Sequence, residues 1–304
     1  MREEGAWARK GSPPLNRGAV DLSLIVVSHN SSDVLPDFIQ SLHDSSPDCT
    51  WELIVFDNAS TDDSVSLLRS NFGDAVVLQS ATNRGFATAV NAAAASARGE
   101  YYLLANPDIA WAKGAIDRLM EFLADHPQAA AVTPSLRYPD GRAQPSLRRF
   151  PTHGNIWFSR GVPGMAWLTR LLRRHPYTIP DPPKAARIEA AAAACLLVRA
   201  SAFHDVGQMD EEYFLYVEDT DLCRRLSDAG WELWIDPETH VVHQWGRSSA
   251  DYGYLKIHHR RGIRRYFRKF HGHKRVRNGF LFFVLWLADT VTRFSGSERR
   301  TDLA

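Results

Sequence analysis

Four short polar clusters stand where apolar, strand-like runs end, and they carry the side chains best suited to chemistry. They are Asp57-Asn58-Ala59-Ser60, Asn83-Arg84-Gly85-Phe86, Asn106-Pro107-Asp108 and Glu218-Asp219-Thr220-Asp221. Open α/β sheets bind ligands in the crevice at the carboxyl ends of their strands. Carboxylates gathered there can hold a metal ion, accept a hydrogen bond from a sugar hydroxyl or abstract a proton. The placement indicates an enzyme that handles a nucleotide-linked, anionic substrate.

The first two clusters are suited to binding a nucleotide. Asp57 follows an apolar run, so its carboxylate can accept a hydrogen bond from a ribose hydroxyl or a base N–H. Capping of the next helix accounts for Ser60 or Thr61 but leaves Asp57 unexplained. Arg84 can bind a phosphate, and Gly85 lets the backbone approach closely. A tight turn before a helix is an equal alternative for this second cluster.

The third cluster and a distant histidine are candidate metal ligands. Asp108 can ligate Mg²⁺ or Mn²⁺ if a diphosphate and waters complete the octahedron. A plain Asn-Pro-Asp turn is the alternative, because these residues are common in turns. His243 closes an apolar run, where a histidine is usually structural, and metal ligation is the alternative.

The fourth cluster contains the candidate general base. Acids in a first helical turn interact favourably with the helix dipole, and Asp221 can pair with Arg225 one turn later. Neither effect explains Asp219, or the aromatic residues among positions 213–217. An aromatic wall excludes water and raises the pKa of a carboxyl group towards the range useful to a base. A carboxyl group of this cluster is therefore a candidate general base.

The elements that position these clusters begin as a regular alternation. The sequence predicts strands at 22–27, 52–56, 75–79, 101–105 and 130–133, with helices at 33–45, 62–70, 85–97 and 113–125 between them. Such alternation is typical of a parallel, doubly wound sheet.

Regularity ends in a proline-rich stretch from 134 to 183, which is either a lid or binding loop or a variable insertion. Order resumes with an apolar run at 190–198 and a helix at 219–229, with Gly230 at its C′ position. Short strands are predicted at 231–235 and 241–243.

Length and cysteine content restrict the class of protein. A chain of 304 residues with 44% hydrophobic content can bury one large core, or a core and a small appendage. The three cysteines, Cys49, Cys195 and Cys223, are widely spaced, which argues against a zinc site and favours a reduced, cytosolic setting. The N-terminal residues are polar without an apolar stretch, so we expect a disordered leader over 1–20 and no signal peptide.

Charge is concentrated near the C-terminus. Residues 256–277 include ten Lys or Arg and no Asp or Glu, although the net charge of the chain is only +1. The apolar run that follows, 280–287, is shorter than the roughly 20 residues that a spanning helix needs. A basic segment followed by a short apolar run favours a helix lying on an anionic membrane surface. A plain solvated surface helix, or an oligomer contact such as a homodimer, is the alternative; nucleic acid binding is disfavoured.

Taken together in this order, the motifs resemble the family-2 inverting glycosyltransferases, and most closely their bacterial rhamnosyltransferase-like branch. The resemblance extends over roughly residues 22–245. It rests on Val-Ser-His-Asn at 27–30, Asp-Asn-Ala-Ser at 57–60, Asn-Arg-Gly-Phe-Ala-Thr-Ala-Val-Asn at 83–91, Asn-Pro-Asp at 106–108, the acidic and aromatic stretch at 210–226, Gly-Trp at 230–231 and Val-Val-His at 241–243.

The resemblance implies a GT-A fold, in which a Rossmann-like, mostly parallel sheet flanked by helices joins two halves. The catalytic domain is then expected at 21–250, with a nucleotide-binding half at 21–134 and an acceptor half at 135–250. Residues 251–304 are expected to form basic, amphipathic C-terminal helices.

The resemblance also implies roles for individual residues. Asp219 matches the catalytic base, and Asp108 the last acid of the family's DxD metal site. His243 matches a histidine that contacts the metal in some members. The residues that would bind the nucleotide sugar are Asn30, Asp57, Asn83, Arg84, Asn106 and Arg225. Two positions depart from the pattern: Asn106 replaces the first acid of DxD, and Ala193 stands where glycine is usual.

The implied reaction is a single displacement that inverts the sugar, assisted by Mg²⁺ or Mn²⁺. The expected donor is dTDP-rhamnose, with a UDP-sugar as the alternative, and the acceptor is a glycan or polyprenyl-linked glycan of the cell envelope. The expected location is the inner face of the plasma membrane. A nucleotidyltransferase and a non-catalytic sugar-binding module are the rivals; the lack of glycine in 26–32 counts against the former.

Overall fold

The computed structural model describes residues 20–157, 177–244 and 252–297. Nearly all of the expected leader, and the middle of the proline-rich stretch, lie outside these residues. The strands are β1 (Leu22–Ser28), β2 (Trp51–Asp57), β3 (Val76–Gln79), β4 (Tyr101–Ala105), β5 (Ile109–Trp111), β6 (Ala129–Arg137), β7 (Leu147–Arg148), β8 (Thr178–Ile179), β9 (Ala186–Arg187), β10 (Ala190–Ala191), β11 (Cys195–Arg199) and β12 (Glu232–His243).

Helices flank the sheet and follow it at the C-terminus. They are α1 (Leu35–Asp44), α2 (Ser64–Asn71), α3 (Phe86–Ala94), α4 (Ala115–Asp125), α5 (His153–Trp157), α6 (Ala200–Asp205), α7 (Glu218–Asp228), α8 (Tyr252–Phe270) and α9 (Arg275–Ser297).

The main sheet is mostly parallel, as the sequence predicts. Its order is β3-β2-β1-β4-β11-β6-β12-β5, with β9 paired to β12. The first four strands are mutually parallel, and β12 runs parallel to β6. β11 is antiparallel to both β4 and β6, an insertion that the alternating pattern does not reveal. A second, three-stranded sheet is formed by β10, β7 and β8.

The apolar sequences of the first strands are explained by their burial between helices. β1 is apolar along most of its length, because α1 covers one face of the sheet and α3 the other. α3 is rich in alanine, and its small side chains at 87, 89 and 93 are fully buried against the sheet. Because β1, β2 and β4 are parallel neighbours, their carboxyl ends lie together at one edge of the sheet, where the polar clusters begin.

Several boundaries differ from the predicted ones for local reasons. β5 has only three residues and directly follows the Asn106-Pro107-Asp108 turn, so its period is too short to detect. The apolar run 190–198 divides into β10 and β11. The two predicted strands at 231–235 and 241–243 form one strand, β12, whose register shifts between Asp236 and His240. Pro237 lies in that irregularity and has no N–H to donate to a neighbouring strand.

The C-terminal helices pack into the body of the protein. Ile263, Tyr266 and Phe267 of α8 and Leu281 and Leu285 of α9 are buried in one apolar cluster, together with side chains of the loop before α7. Within the described residues, no helix is long and apolar enough to cross a membrane.

Part of the basic face expected on α8 is directed inwards. Arg260 and Arg264 both bind the Asp289 carboxylate of α9, at 2.5 and 2.6 Å. These two charges of the basic segment are therefore neutralised inside the protein, by an acid 29 and 25 positions further along the chain.

Candidate active site

β2 ends at Asp57, whose buried carboxylate accepts a hydrogen bond through only one of its two oxygens. Its Oδ2 accepts a hydrogen bond from the Ser60 N–H at 3.2 Å. Its Oδ1 is buried and has no hydrogen-bond partner among the described residues. A buried acceptor without a partner is costly, so a ligand that donates there gains the free energy otherwise lost. This geometry suits a ribose hydroxyl or a base N–H, as the sequence predicts for Asp57.

Asn30 lies beside Asp57 and holds the adjoining loop. Its backbone is left-handed, with φ 48°. Its Oδ1 accepts a hydrogen bond from the Thr61 N–H at 2.8 Å, and its own N–H donates to Ser60 Oγ at 2.9 Å. The loops after β1 and β2 are thus joined into one rim. The side chain of Asn30 serves this rim, and its contact with a nucleotide stays a prediction.

Asn58 connects this rim to the Asn83-Arg84-Gly85 turn. Its Oδ1 accepts a hydrogen bond from the Arg84 N–H at 2.7 Å, and its Nδ2 donates to the Gly85 carbonyl at 3.1 Å. The Asn83 side chain accepts from the Gly85 N–H at 3.0 Å, which forms a tight local turn. The Arg84 side chain is exposed beside the rim. The cluster thus forms the tight turn given as its alternative. The Arg84 guanidinium is exposed nevertheless and is available to a phosphate.

Gly85 joins the two halves of the site. Its φ is 83°, and an added Cβ would lie 2.4 Å from the Phe214 carbonyl oxygen. That carbonyl accepts a hydrogen bond from the Phe86 N–H at 2.8 Å. Only glycine permits this approach. The loop before α7 is consequently held against the start of α3.

Asp108 and His243 converge at the other end of the rim. Asp108 Oδ1 and His243 Nε2 are 3.2 Å apart, and Asn106 Nδ2 lies 3.5 Å from the same Nε2. His243 Nδ1 is 2.6 Å from Gln144 Oε1, which can only accept a hydrogen bond. When the ring is neutral, Nδ1 therefore carries the proton and the Nε2 lone pair faces Asp108. The Asp108 Oδ1 atom makes no hydrogen bond within the described residues.

The donor set of this pair fits a divalent cation. Two acceptors that face each other repel unless a proton or a metal cation lies between them. Neighbouring ligands of an octahedral ion with bonds of about 2.1 Å are about 3 Å apart, close to the observed separation. No group of three or more His, Cys, Asp or Glu side chains with metal-site geometry occurs in the described parts of the chain. A metal held by Asp108 and His243 would thus need oxygen ligands from the diphosphate and from water.

Asp219 stands in the first turn of α7 with a fixed orientation. Its Oδ2 accepts a hydrogen bond from Arg148 Nη1 at 2.9 Å, and its Oδ1 accepts from the Thr220 N–H at 2.6 Å. Burial opposes the charge of Arg148, but the adjacent Asp219 carboxylate leaves the pKa of Arg148 raised. A permanently charged guanidinium thus orients the candidate base.

The turn that presents Asp219 has a strained backbone. Tyr216 and Val217 have φ of 68° and 76°. For a β-branched residue such as valine this left-handed conformation is a true outlier. Strain of this kind persists only where the surroundings impose it, and it concentrates at functional sites.

The carboxyl group with a raised pKa in this cluster is that of Glu218. Burial, and next the charge of Asp219, raise the pKa of Glu218 to about 8. Its Oε2 atom is buried without a hydrogen-bond partner in the described chain. The apolar surroundings expected around this cluster are thus present, and they raise the pKa of Glu218, the residue next to Asp219.

Arg225 is held within α7 and its surroundings. Its Nε donates to Asp221 at 2.6 Å, as the i,i+4 spacing predicts, and its Nη1 donates to the Val206 carbonyl at 2.6 Å. Asp221 is fully buried and also accepts from Tyr213 and from Lys269 of α8. These contacts account for most of the Arg225 side chain. Its predicted contact with the leaving diphosphate stays a prediction.

Sequence reasoning missed Gln144 and Arg148, which orient His243 and Asp219. Both belong to the proline-rich stretch, and they are four positions apart. Their Cα atoms can be at most about 14 Å apart even in a fully extended chain. One short segment therefore supports both the candidate metal pair and the candidate base. No local pattern marks these two residues, because their partners lie 99 and 71 positions away.

Residues 23–206 match the family described as glycosyl transferase family 2. The chain belongs to glycosyltransferase family 2. Over 263 residues this family 2 protein is 32% identical to an N-acetylglucosaminyl-diphospho-decaprenol L-rhamnosyltransferase of Mycobacterium tuberculosis. That alignment spans 79% of this chain and 81% of its relative. The resemblance to the rhamnosyltransferase-like branch of family 2 is thereby confirmed.

Solved structures show the same fold. A mannosyltransferase from Pyrobaculum calidifontis in complex with GDP-Man and Mn²⁺ superposes on 93% of this family 2 chain, with a TM-score of 0.56 at 15% identity over 76% of its own length. S. aureus TarS in complex with UDP superposes on 83% of the chain, with a TM-score of 0.52 at 15% identity over 74% of its own length. The expected GT-A fold is confirmed, and the protein is a glycosyltransferase.

Proposed function

We propose that this glycosyltransferase moves L-rhamnose from dTDP-rhamnose, with inversion, onto a hydroxyl group of a polyprenyl-linked glycan used for the cell envelope. The observation that carries the proposal is Asp219, a carboxylate in the first turn of α7 that Arg148 holds at 2.9 Å. The named activity of the 32% identical mycobacterial relative supports the donor sugar and the lipid-linked acceptor.

The transfer begins with the acceptor. Asp219 accepts the proton of the acceptor hydroxyl, and that oxygen attacks the anomeric carbon from the face opposite the nucleotide. The bond from the anomeric carbon to the diphosphate oxygen breaks, and the nucleoside diphosphate leaves. General-base assistance of this type contributes roughly 10²–10⁴-fold to the rate. Retention through a covalent intermediate would need a second positioned nucleophile, and the described residues offer no candidate.

The donor is held along the rim. Asp57 Oδ1 accepts from the base or ribose, and Arg84 binds a phosphate oxygen, with Asn30, Asn83 and Asn106 completing the wall. Asp108 and His243 would hold Mg²⁺ or Mn²⁺, which when bound neutralises negative charge on the diphosphate. Gln144 keeps the Nε2 lone pair of His243 directed into this position.

The C-terminal helices supply a contact with the membrane that contains the acceptor. Six of the eight large apolar side chains that are exposed in the described structure lie on α9. They recur every three or four residues and so share one face: Val276, Phe280, Phe283, Trp286, Leu287 and Val291. We call this face the apolar stripe. An amphipathic helix of this kind lies in the interface of a bilayer with its apolar face buried.

Cations accompany the apolar stripe. A cavity of about 550 Å³ is lined by Arg261, Arg265, Arg268, Lys269 and Glu212. Arg265 and Lys269 are paired with acids, whereas Arg261 and Arg268 are exposed and have no ion-pair partner among the described residues. Arg268 also lies 5.3 Å from the Phe282 ring of α9, which places it beside that helix. The two free guanidinium groups suit lipid phosphates, and the site of action is the inner face of the plasma membrane.

A transfer assay tests the proposed reaction. Purified protein is incubated with Mg²⁺, an N-acetylglucosaminyl-diphospho-polyprenol of short chain and a panel of dTDP-rhamnose and UDP-hexoses. We expect transfer from dTDP-rhamnose, with the opposite anomeric configuration in the product. Asp219→Asn should lower kcat at least a hundredfold and leave donor binding nearly unchanged, because the amide keeps the shape but cannot accept the proton.

Glu218→Gln is the matched control, since it alters the adjacent carboxyl group without touching the proposed base. Transfer from a UDP-hexose alone would replace the donor assignment. Near-normal turnover of the Asp219→Asn variant would eliminate Asp219 as the base. Pyrophosphate exchange, or no reaction with any donor, would overturn the proposed function.

A further inference from the structure

Helix α8 approaches the backbone of the strained turn more closely than any side chain would allow. A Cβ added at Gly262 would lie 2.7 Å from the Tyr216 carbonyl oxygen and 2.9 Å from Val217 Cγ2. Cβ atoms do not occur at such distances without movement of one partner, and here the nearer partner is backbone. The absence of a side chain at position 262 therefore sets how closely α8 and the turn pack.

The turn needs such support because its conformation is unfavourable by itself. Tyr216 and Val217 both have positive φ, and Val217 is 2% exposed. Two consecutive left-handed residues, neither of them glycine, persist only when packing imposes them. Glu218 and Asp219 follow directly, so the placement of the turn fixes the direction in which the Asp219 carboxylate leaves the backbone.

α8 is itself held firmly enough to impose this geometry. Ile263 and Phe267 are buried in the apolar cluster that also contains Val217. Arg260 binds Asp289 on one side, and Lys269 binds Asp221 of α7 on another. The contact through Gly262 is thus part of a rigid connection between α8 and α7.

His259 extends the same contact to the base. Its ring centroid lies 6.1 Å from that of Tyr216, edge to face. Burial, together with the charge of Arg148, lowers the pKa of His259 to about 4, while the carboxylate of Asp219 acts in the opposite direction. His259 is thus a neutral ring, and it lies close enough to the Asp219–Arg148 pair for both charges to affect its pKa.

We infer that α8 is a positioning element of the active site: Gly262 and His259 hold the Tyr216-Val217 turn in the conformation that aims Asp219 at the acceptor. The inference rests on the proposed role of Asp219. It assigns a function in sugar transfer to a helix outside residues 23–206, the segment that matches the family.

Gly262→Ala tests the inference, and Gly279→Ala is its matched control. Both glycines lie inside C-terminal helices, but a Cβ at Gly279 meets nothing within 4 Å. With dTDP-rhamnose and a water-soluble acceptor, Gly262→Ala should lower kcat at least tenfold and change the KM for the donor less than twofold. Gly279→Ala should match the wild type in both. Hydrogen exchange should speed up for the amides at 216–222 in the Gly262→Ala protein and stay unchanged along the nucleotide-binding rim.

A second pair of variants avoids any clash. His259→Ala removes the ring that supports Tyr216 and adds no atoms, so kcat should fall severalfold with the donor KM unchanged. His259→Phe keeps a ring in contact with Tyr216 and should recover most of the loss. Equal kcat values for the wild type, Gly262→Ala and His259→Ala would overturn the inference. Absence of transfer by the wild type would instead overturn the proposed function, and the exchange measurement would still report whether α8 holds the turn.

Discussion

At the scale of single residues, the close contact between Asp108 and His243 favours the proposed metal site over a plain turn. An Asn-Pro-Asp turn by itself requires no nearby histidine. A histidine with a purely structural role requires no carboxylate oxygen that lacks a hydrogen bond 3.2 Å from its Nε2 atom. The missing first acid of the DxD motif is replaced here by Asn106, a neutral side chain beside the same histidine. One carboxylate and one imidazole leave more of the metal's coordination to the diphosphate.

Metal and nucleotide should therefore bind together, and Asp108→Ala should abolish the coupling. We expect Mn²⁺ to strengthen binding of a nucleoside diphosphate by the wild-type protein and to have no effect on the Asp108→Ala variant, since His243 alone cannot hold the ion. Calorimetric titration with and without Mn²⁺ measures this. Asp140→Ala, in an exposed turn, is the control and should keep the whole effect. If the Asp108→Ala protein keeps it too, Asp108 is not a ligand.

Glu218 provides a prediction about pH. Its pKa is raised from 4.5 to about 8 by burial and by Asp219, so the folded protein retains a proton that the unfolded chain releases. The associated stability is complete below about pH 4.5 and is lost as the pH rises towards 8. Glu218→Gln has no proton to lose. As the pH rises through this window, the free energy of unfolding of Glu218→Gln should increase relative to that of the wild type. The increase should be at most about 1.4 kcal/mol per pH unit.

Urea unfolding at pH 5, 7 and 9 gives the comparison. Glu121→Gln, at an exposed position of α4, is the control and should follow the wild type at every pH. A difference between Glu218→Gln and wild type that stays constant with pH would show that Glu218 is charged in the folded protein throughout.

The candidate site residues could be found from sequence, whereas the side chains that orient them could not. Asp57, Asp108 and Asp219 follow apolar runs or open a helix, and such positions are visible in a local window. Gln144 and Arg148 act through partners about 100 and 70 positions away. Their place depends on how a proline-rich segment pairs with β10, and short strands of two residues leave no period in the sequence.

At the scale of elements, the site depends on a glycine that lets two loops touch. Gly85 opens α3 with φ 83° and ψ 171°, a region that residues with a side chain avoid. The carbonyl of Phe214 occupies the space where a Cβ would be. The contact links the nucleotide-binding half to the loop that leads into the strained turn, so local backbone freedom at one position controls the alignment of two elements.

Gly85→Ala should thus destabilise the protein more than a positive φ alone explains. Gly114 is the matched control, because its φ is 73° but a Cβ there meets nothing within 4 Å. Gly114→Ala should cost about 1–2 kcal/mol. Gly85→Ala should cost roughly 1–3 kcal/mol more, both from overlap with the Phe214 backbone and because its ψ of 171° lies in a region open almost only to glycine. Equal losses in denaturant unfolding would mean that the loop moves away freely, and the proposed alignment of the two elements would fail.

At the scale of the whole molecule, the C-terminal helices both complete the apolar core and offer a surface. Tyr266 and Phe267 are fully buried, whereas Phe283 and Trp286 are more than half exposed. Sequence alone could identify the basic and apolar runs but not their division between inside and outside, which depends on Asp289 and on the loop before α7. Deleting the helices would therefore damage the core, and point substitutions on the apolar stripe are the cleaner test of membrane contact.

The double variant Phe283→Ser/Trp286→Ser should weaken binding to anionic vesicles. Each of these side chains is 55–57% exposed, so about half of its apolar surface is available for insertion. Removing both should cost roughly 1.5–3 kcal/mol, or about 10–150-fold in vesicle affinity. Val76→Ser removes an exposed apolar side chain on β3 instead and should bind as the wild type does.

Salt distinguishes the two contributions to vesicle binding in co-sedimentation. Arg261→Ala/Arg268→Ala should lose the part of the affinity that salt suppresses, because exposed cations attract an anionic surface only within a Debye length, about 8 Å at physiological salt. The serine double variant should lose the part that remains at high salt, because salt does not screen apolar insertion. If the wild-type protein ignores anionic vesicles at low salt, the membrane proposal fails, and a concentration-dependent dimer that the same serine substitutions dissolve would identify the apolar stripe as a contact between two copies of this chain.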